Sequence, residues 1–378
     1  MELAYVTTYD PTNIHHWSGI GFYIYQTFKN SGIKIKSISN LKEQVSSLHR
    51  FKKIFYSKVR SKSYLWEREP AILKSYSFQV EKHLKSIRCD IIFSPGTIPV
   101  AYLNIDKPIV FWADATFAGM TNFYPKYTNL SNETINHGNK MEQVALSRCQ
   151  LAIYSSEWAA NTAIQYYDVD PAKVKVVPFG ANIENEKAEA DIKGIIANKK
   201  FDVCKLLFIG VDWQRKGGDI ALKVAELLNK KGIRTELHII GCKPPSQTPE
   251  YVKLYGYISK TTIEGKARLE RLFSESHFLI LPAKAECYGI VLTEASSFGL
   301  PSIATNVGGI PTIIHNGKNG YVFPSDECQN NFCECIARIF SSSHEYKQLS
   351  ISAFNEYSQR LNWNSSGKKV SDLMHTLK

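Results

Sequence analysis

The sequence has no long hydrophobic run. No apolar segment among its 378 residues approaches the ~20 residues that a membrane-spanning helix requires. The first ten residues, MELAYVTTYD, also lack a basic segment followed by an apolar one, which is the pattern of a secretory signal. We therefore expect a cytoplasmic protein that does not cross a membrane. Peripheral attachment to the cytoplasmic membrane face is compatible with this expectation.

Cysteines at metal-binding spacings are also missing. The eight cysteines are scattered, and the closest two, Cys333 and Cys335, have one residue between them. This pattern indicates reduced thiols and no zinc site. By contrast, 44% hydrophobic residues, 21% charged residues, 22 Gly and 15 Pro are typical of globular proteins. The length fits about two domains of ~150 residues each.

The positive charge is concentrated in one part of the chain. Residues 29–88 contain 15 Lys and Arg against four Glu, which gives +11, the net charge of the whole sequence. Within this part, residues 48–66 interleave aromatic and basic side chains, a pattern that suits an anionic membrane surface. A solvated helix face or loop explains it equally well. Nucleic acid is not expected as a partner, because no nucleic-acid-binding motif accompanies the patch.

Short β-rich apolar runs alternate with amphipathic stretches along the whole chain. This alternation predicts βα units with mostly parallel sheets, an α/β fold of two doubly wound, Rossmann-like domains. The predicted strands are 3–8, 33–38, 90–94, 108–112, 151–155 and 174–177, followed by KLLFIG, RTELHIIG, FLILP, PSIAT and YVF. The predicted helices are 18–30, 71–87, 133–147, 157–167, 218–231, 262–276 and 291–298.

The joint between the domains is predicted near residues 178–199. There the apolar periodicity is lost after a Pro and a Gly. We assign residues 1–182 to the first domain and 183–354 to the second. The segment 355–378 is predicted to be a helix that packs back onto the first domain.

The strongest chemical signal is the segment 285–323, which follows the predicted strand FLILP. Glu286 lies at the carboxyl end of that strand, and Glu294 lies about a turn and a half into the next helix. Gly289 and Ile290 stand where this helix begins, and the N–H groups at such a start bind phosphate. Two carboxylates beside an anion site suggest a ligand with both phosphate and hydroxyl groups. A sugar nucleotide has both.

A second signal is a pair of cations, Arg215 and Lys216. They follow a predicted strand that ends at Gly210, within a predicted loop that leads into an amphipathic helix. An Arg offers a fork for two phosphate oxygens and a Lys offers a point charge, so together they would neutralise a diphosphate. For the pair taken alone, a surface loop with solvated cations is the alternative.

A third and weaker signal is the pair Gly19 and Gly21 after the first strand. These glycines permit a tight turn with the backbone close to a ligand. A dinucleotide fingerprint would require another glycine three residues after Gly21, where the chain has Ile24. We therefore do not predict NAD. The neighbouring His15 and His16 are expected to be polar loop residues without a metal.

On these motifs, with the segment 155–183 and the downstream NVGGIPTII, the chain resembles the retaining glycosyltransferases of GT-B fold, in particular glycosyltransferase family four. The resemblance implies two Rossmann-like domains that face a central cleft. It implies that the second domain holds a nucleotide-diphosphate sugar and that the first holds a glycan, lipid-linked sugar or glycoside as acceptor. It further implies glycosyl transfer with retained configuration, as in polysaccharide or glycolipid biosynthesis, with no cofactor and no metal.

The resemblance also implies roles for the acidic and basic residues of the second domain. Glu286 would contact hydroxyls of the transferred sugar, and Glu294 would contact the ribose. Arg215 and Lys216 would bind the diphosphate. The family places a cation directly after the strand-ending glycine, where this chain has Val211, so Arg215 and Lys216 would supply that charge.

Further roles fall on backbone and aromatic positions. By resemblance, the amides of Gly289 and Ile290 complete the phosphate site, and Tyr257 lies where family members contact the base. Gly19 and Gly21 of the first domain would close on the diphosphate side.

Two acidic positions need separate interpretation. Asp114 falls near the place where many family members have a His that touches the donor sugar. It would accept a hydrogen bond from a sugar hydroxyl, or it caps the following turn. The Asp168 and Asp170 pair has the form of a metal motif, but Asp170 precedes Pro171, which is the pattern of an ordinary helix N-cap.

Two other functions remain alternatives at this stage. One is a non-catalytic protein of the same fold that docks to an anionic membrane or polymer through its basic patch. The other is a dinucleotide-dependent oxidoreductase, against which the glycine pattern argues. The sequence does not identify the acceptor, or the base and sugar of the donor.

Overall fold

The computed structural model describes residues 1–184, 187–326 and 328–377. The chain forms two compact units, the first made of Met1–Phe179 and the segment from Trp363 onward, the second of Gly180–Asn362. Each unit contains one six-stranded sheet in which the paired strands are parallel and helices connect them. This confirms the predicted α/β class with two Rossmann-like units.

The sheet of unit 1 has the strand order β2-β1-β3-β4-β5-β6. Its strands are β1 (Glu2–Val6), β2 (Lys34–Ile38), β3 (Ile91–Ser94), β4 (Ile109–Ala113), β5 (Leu151–Tyr154) and β6 (Val174–Val176). Every residue of β3, β4 and β5 is buried, as expected for central parallel strands covered on both faces. The order reverses at β1, which pairs with β2 on one side and β3 on the other.

Several helices of unit 1 begin at a polar cap or at a proline. The first six helices are α1 (Ile20–Asn30), α2 (Ser47–Val59), α3 (Pro70–Leu84), α4 (Phe117–Met120), α5 (Asn132–Arg148) and α6 (Glu157–Tyr166). The side chains of Ser131 and Ser156 accept the backbone N–H groups of Thr134 and Ala159 at the starts of α5 and α6. Pro70 opens α3, where its missing N–H costs nothing.

The sheet of unit 2 has the strand order β12-β11-β10-β7-β8-β9. Its strands are β7 (Cys204–Gly210), β8 (Thr235–Gly241), β9 (Val252–Gly256), β10 (Phe278–Leu281), β11 (Ser302–Thr305) and β12 (Gly320–Phe323). Its helices are α7 (Glu189–Ala197), α8 (Trp213–Lys216), α9 (Gly218–Lys230), α10 (Ile263–Glu275), α11 (Ile290–Ser297), α12 (Ile310–Ile313), α13 (Cys328–Phe340) and α14 (Ser343–Arg360).

The last helix, α15 (Trp363–His375), belongs to unit 1 and packs against α1. The Trp363 ring stacks on Tyr23 at 6.1 Å between centroids and on Phe179 at 5.7 Å. The preceding helix α14 instead packs against α7 and α11 of unit 2. The chain therefore returns to unit 1 at residue 363, whereas the sequence predicted this return near residue 355. The first division lies after Phe179, whereas the sequence predicted it after residue 182.

Most predicted strands and helices are confirmed, with ends that differ by no more than three residues. Arg215 and Lys216 lie in the short helix α8, so their assignment to a loop was wrong. Helix α1 begins two residues later than predicted because Trp17 and Ser18 have left-handed backbone angles, with φ of 49° and 54°. Among the described residues, no helix combines the length and apolar character that crossing a membrane requires.

Candidate functional site

The candidate site of unit 2 lies where the order of its sheet reverses. β7 and β10 are neighbours, and the strands that follow each of them continue in opposite directions across the sheet. Open α/β sheets bind ligands outside the carboxyl ends of the strands at such a reversal. Arg215 and Lys216 follow β7, and Glu286 and Gly289 follow β10. The topology thus brings the two strongest sequence motifs to one place.

Three of the predicted charged residues form an ion cluster at this reversal. Arg215 Nη1 lies 3.3 Å from Glu286 Oε2 and donates to the Ala285 carbonyl oxygen at 3.0 Å. Lys216 Nζ contacts the same Glu286 oxygen. The side chains of Arg215, Lys216 and Glu286 are only 11%, 12% and 10% exposed. A second carboxylate, Asp212 Oδ2, lies 3.6 Å from Arg215 Nε and is 43% exposed, so Glu286 is the buried counter-charge that both cations share.

The backbone around α8 fixes both cations. Asp212 caps α8 by accepting the Arg215 N–H at 3.0 Å, and the Lys284 N–H donates to the Arg215 carbonyl at 2.8 Å. Gly217 ends α8 with a φ of +77°, and a Cβ there would lie 1.9 Å from the Pro282 carbonyl oxygen. Only glycine fits this turn, which holds α8 against the segment after β10.

Helix α11 begins beside the cluster. Gly289 is its N-cap and has a φ of +98°, a conformation that side-chain-bearing residues rarely adopt. Ile290, the first helical residue, is half-buried. The N–H groups in the first turn of a helix lack intrahelical acceptors and favour an anion. Gly289 and Ile290 therefore lie where the sequence predicted a phosphate to bind.

Glu294 lies farther along α11 and is 2% exposed. Lys260 Nζ contacts its Oε1. Burial raises the pKa of Glu294, and the positive charges of Lys260 and Lys216 oppose that rise. Glu294 thus belongs to the same electrostatic environment as the cluster.

Sequence reasoning did not single out Lys260. It lies in the segment between β9 and α10, at the carboxyl edge of the sheet where the other site residues stand. Because β9 was not predicted as a strand, the sequence did not indicate that Lys260 follows a strand and lies at the carboxyl edge of the sheet. Tyr257, the predicted base contact, directly follows β9 and is 71% exposed. An exposed aromatic ring at this edge is suited to stacking on a base.

The glycine turn of unit 1 is brought next to Asp114. The Trp17 indole donates to Asp114 Oδ2 at 3.1 Å, which connects the turn to the end of β4. Gly19 is the N-cap of α1 and has a φ of +86°. A Cβ on Gly21 would lie 2.3 Å from the hydroxyl oxygen of Tyr9. The structure therefore groups all three predicted residues of unit 1.

The helix caps bear on two interpretations from the sequence. Asp114 was a candidate cap for the turn that follows it, but the cap of that helix, α4, is Thr116, whose Oγ1 accepts the Gly119 N–H at 3.0 Å. Asp170 accepts the Ala172 N–H at 2.9 Å and caps the 3-10 turn that begins at Pro171, so its interpretation as an N-cap is confirmed.

One group of side chains in unit 1 has the geometry of metal ligands. It consists of Glu69, Glu133 and His137. Lys52 Nζ lies 3.2 Å from Glu69 Oε1 and 2.5 Å from Glu133 Oε1. The lysine thus supplies the positive charge that a metal would supply, and it anchors α2 to α5.

Two family profiles match the chain. Residues 39–185 match Glycosyltransferase Family 4, and residues 204–342 match Glycosyl transferases group 1. A similar curated protein is the D-inositol 3-phosphate glycosyltransferase of Corynebacterium diphtheriae, 22% identical over 61% of this chain and 57% of that protein. The lipopolysaccharide glucosyltransferase WaaG of Escherichia coli is 24% identical over 71% of this chain and 72% of WaaG. The chain spans between about half and two thirds of the length of the first curated relatives.

Solved structures show the same fold at low identity. Sucrose-phosphate synthase from Thermosynechococcus elongatus has a TM-score of 0.72 at 16% identity and covers 100% of this chain and 99% of its own. WaaG has a TM-score of 0.65 at 18% identity, over 98% of this chain and 99% of its own. Since the profiles match both halves of the chain, the protein belongs to glycosyltransferase family 4, the glycosyl transferases of group 1, and has the GT-B fold.

Proposed function

We propose that the protein transfers a glycosyl group from a nucleotide-diphosphate sugar to a hydroxyl acceptor, with retained configuration and without a metal. The observation that carries this proposal is the buried cluster of Arg215, Lys216 and Glu286 beside the start of α11. Unit 2 would bind the donor and unit 1 the acceptor, a glycan, lipid-linked sugar or glycoside. The relatives named above are glycosyltransferases, which does not favour the non-catalytic alternative.

The proposed chemistry follows from where charge develops. The bond between the anomeric carbon and the diphosphate oxygen breaks, and the leaving diphosphate gains negative charge. Arg215, Lys216 and the helix start are already oriented, so they stabilise this charge more strongly in the transition state than in the ground state. The acceptor oxygen bonds to the anomeric carbon from the same face, and its proton passes to the departing phosphate oxygen.

Glu286 has a second part in this proposal. In the structure its carboxylate forms ion pairs with Arg215 and Lys216. Diphosphate oxygens would replace it there, and the released carboxylate would accept a hydrogen bond from a hydroxyl of the transferred sugar. The two glutamates thus position the donor, and neither needs to act as the acid or nucleophile of a glycosidase.

The test uses Lys216→Ala and Glu286→Ala with a panel of nucleotide sugars, including UDP-glucose and GDP-mannose. Donor hydrolysis and thermal stabilisation by the donor are measured for each. We expect both variants to lose donor turnover by at least about a hundredfold, as for the loss of a transition-state charge contact. Lys231→Ala, which removes an exposed lysine paired with Glu334 on the same unit, is the matched control. Unchanged turnover in both site variants would refute the proposal.

We also propose that α2 rests on an anionic membrane surface. Leu48, Phe51, Ile54 and Val59 of this helix are between 58% and 67% exposed. Arg50 and Lys58 are exposed on the same helix. Apolar side chains that enter the headgroup region and cations that pair with lipid phosphates are the two features of an interfacial helix.

Two lysines of the basic segment 48–66, Lys52 and Lys53, have partners within unit 1 and are poor candidates for contact with lipid. Lys52 is turned into unit 1 and paired with two glutamates, and Lys53 Nζ stacks 4.3 Å from the centre of the Trp66 ring. Phe51→Ser and Lys58→Glu are therefore the informative variants. Both should reduce sedimentation with vesicles of phosphatidylcholine and phosphatidylglycerol, whereas Lys34→Glu, an exposed change elsewhere on unit 1, should not. Equal sedimentation of all variants would remove the membrane proposal.

A further inference from the structure

Unit 1 contains a cavity of about 720 Å³, and part of its lining comes from the basic, aromatic segment 48–66. Thr8, which follows β1, and Ile98, which follows β3, line it. The order of the unit 1 sheet reverses at β1, so the cavity lies at the carboxyl edge of the strands at the reversal. This is the position at which open α/β sheets bind ligands.

The lining of the cavity is positively charged. It contains four cations and two carboxylates, namely Lys53, Lys62, Arg68 and Lys126 with Glu43 and Glu67. Aromatic side chains also contribute, from Tyr64, Trp66, Tyr76 and Tyr127. Aromatic faces pack on sugar rings and cations pair with anions, so the lining suits a sugar that carries a negative group.

Arg68 is the unusual member of this lining. It is only 4% exposed. Among the hydrogen bonds of the described residues, its Nη2 donates to the Tyr127 hydroxyl at 3.2 Å and its Nη1 lies 3.5 Å from Met141 Sδ. The guanidinium carbon also lies 5.3 Å from the centre of the Phe117 ring and 5.9 Å from that of Tyr127. Its buried Nε has no hydrogen-bond partner among the described residues. A guanidinium buried with such weak partners is costly unless a ligand completes its hydrogen bonds.

The buried carboxyl group of Glu142 does not remove this cost. Arg68 acts to lower the pKa of Glu142, but burial raises that pKa to about 7. Near neutral pH the carboxyl is therefore only partly ionised, and it compensates the guanidinium incompletely. Lys126 adds a second cation at the cavity, 2.7 Å from Glu67 Oε1 and well exposed to solvent.

We propose that this cavity binds an anionic group of the acceptor, a phosphate or a carboxylate, with Arg68 and Lys126 as its main partners and the Tyr127 hydroxyl as a further donor. The anionic oxygens supply the acceptors that the Arg68 fork lacks. The aromatic walls hold the sugar that carries the group. The assignment of this ligand as the acceptor rests on the proposed glycosyl transfer.

The test measures binding of glucose 6-phosphate, glucuronate and glucose by titration calorimetry. It is carried out in the Lys216→Ala background, which removes one of the two cations of the unit 2 site, and binding that remains at Arg215 is recognised because the unit 1 variants leave it unchanged. We expect one charged sugar to bind and glucose to bind at least about tenfold more weakly, the loss of one charge-assisted contact. The tighter of the two charged sugars identifies the anion as phosphate or carboxylate.

The variants assign that binding to the cavity. Arg68→Gln should weaken binding of the charged sugar about tenfold or more, and Lys126→Gln should weaken it about threefold. Lys34→Gln removes an exposed lysine that also neighbours a glutamate and should change nothing. If Arg68→Gln does not fold, weaker binding of the charged sugar by Lys126→Gln and Tyr127→Phe assigns the binding to the cavity. Glucose binding as tightly as the charged sugars, or equal affinities in the folded cavity variants, would overturn the proposal.

The two proposals fail separately. Sugar-phosphate binding is measured without a donor, so it does not depend on whether transfer occurs. Donor turnover that is insensitive to Lys216→Ala and Glu286→Ala would refute glycosyl transfer and leave the cavity as an anion site. Normal glycosyl transfer without anion binding at Arg68 would refute only the proposal that the cavity binds an anionic group.

Discussion

Glu286 is the residue on which the chemistry of unit 2 depends. Its carboxylate holds two cations that would otherwise repel each other in a largely buried place. Such a carboxylate stabilises the ligand-free protein and competes with an incoming diphosphate for the same cations. The two effects can be separated by removing the charge and keeping the shape.

Glu286→Gln should lower the free energy of unfolding by about 3 kcal/mol without ligand, because Lys216 and Arg215 lose their buried counter-charge and Arg215 keeps only the more exposed Asp212. Added pyrophosphate should then raise the melting temperature more in the variant than in the wild type, since no carboxylate has to be displaced. Thermal unfolding with and without pyrophosphate measures both effects. A smaller pyrophosphate shift in the variant would show that the cations do not receive the diphosphate.

Glu142 predicts a pH dependence of stability. Burial raises its pKa in the folded protein from 4.5 to about 7. Between these two pH values the folded state therefore holds a proton that the unfolded state has lost. Its contribution to stability is therefore present below about pH 4.5 and is lost as the pH rises through about 7. Glu142→Gln should remove this decline and be more stable than the wild type above pH 7, by up to about 3 kcal/mol. Denaturant unfolding across this range is the measurement, and parallel curves for the two proteins would contradict it.

At the scale of elements, the site depends on short turns that join long regular segments. Most of the long elements follow from hydrophobic periodicity, and the sequence predicted those to within a few residues, whereas α2, α13 and α14 were given no bounds. Helix α8 is a single turn, too short for periodicity to reveal. β9 is an edge strand in which Val252 alone is buried, so it lacks the apolar run that marked the other strands. The position of Lys260 was missed for this reason.

Gly217→Ala tests the turn that carries the two cations. A Cβ there meets the Pro282 carbonyl oxygen at 1.9 Å, and the φ of +77° is strained for any other residue. Gly232 has a similar φ of +82°, but a Cβ added to it would meet nothing within 4 Å, so Gly232→Ala is the matched control. The control should cost about 1 kcal/mol of unfolding free energy, and Gly217→Ala should cost clearly more and reduce pyrophosphate binding. Equal costs would show that the close approach does not fix the turn.

At the scale of the whole molecule, the chain forms unit 1, then unit 2, and returns to unit 1 with α15. The residue types and their order predicted two α/β units and the residues that meet at the sheet reversal of unit 2. The pairing of Arg215 and Lys216 on one carboxylate, and the burial of Arg68 without a hydrogen bond to its Nε among the described residues, could not be predicted. Both depend on side-chain distances between segments that are far apart in sequence.

Trp363→Ala tests the contribution of α15. The ring packs on Tyr23 and Phe179, and large-to-small changes of buried aromatic residues cost about 3–5 kcal/mol. Calorimetry should show a less stable unit 1, while pyrophosphate binding by unit 2 is kept. Phe78→Ala, which removes an exposed ring from the same unit, should be nearly neutral. Loss of pyrophosphate binding in Trp363→Ala would contradict the assignment of that site to unit 2 alone.

The most direct test of the diphosphate site is a crystal structure of the protein with UDP. The account predicts diphosphate oxygens within hydrogen-bonding distance, about 2.7–3.2 Å, of Arg215 and Lys216, next to the backbone N–H groups of Gly289 and Ile290. Glu286 would then have left both cations. A nucleotide bound elsewhere, with Glu286 still held between Arg215 and Lys216, would contradict the account.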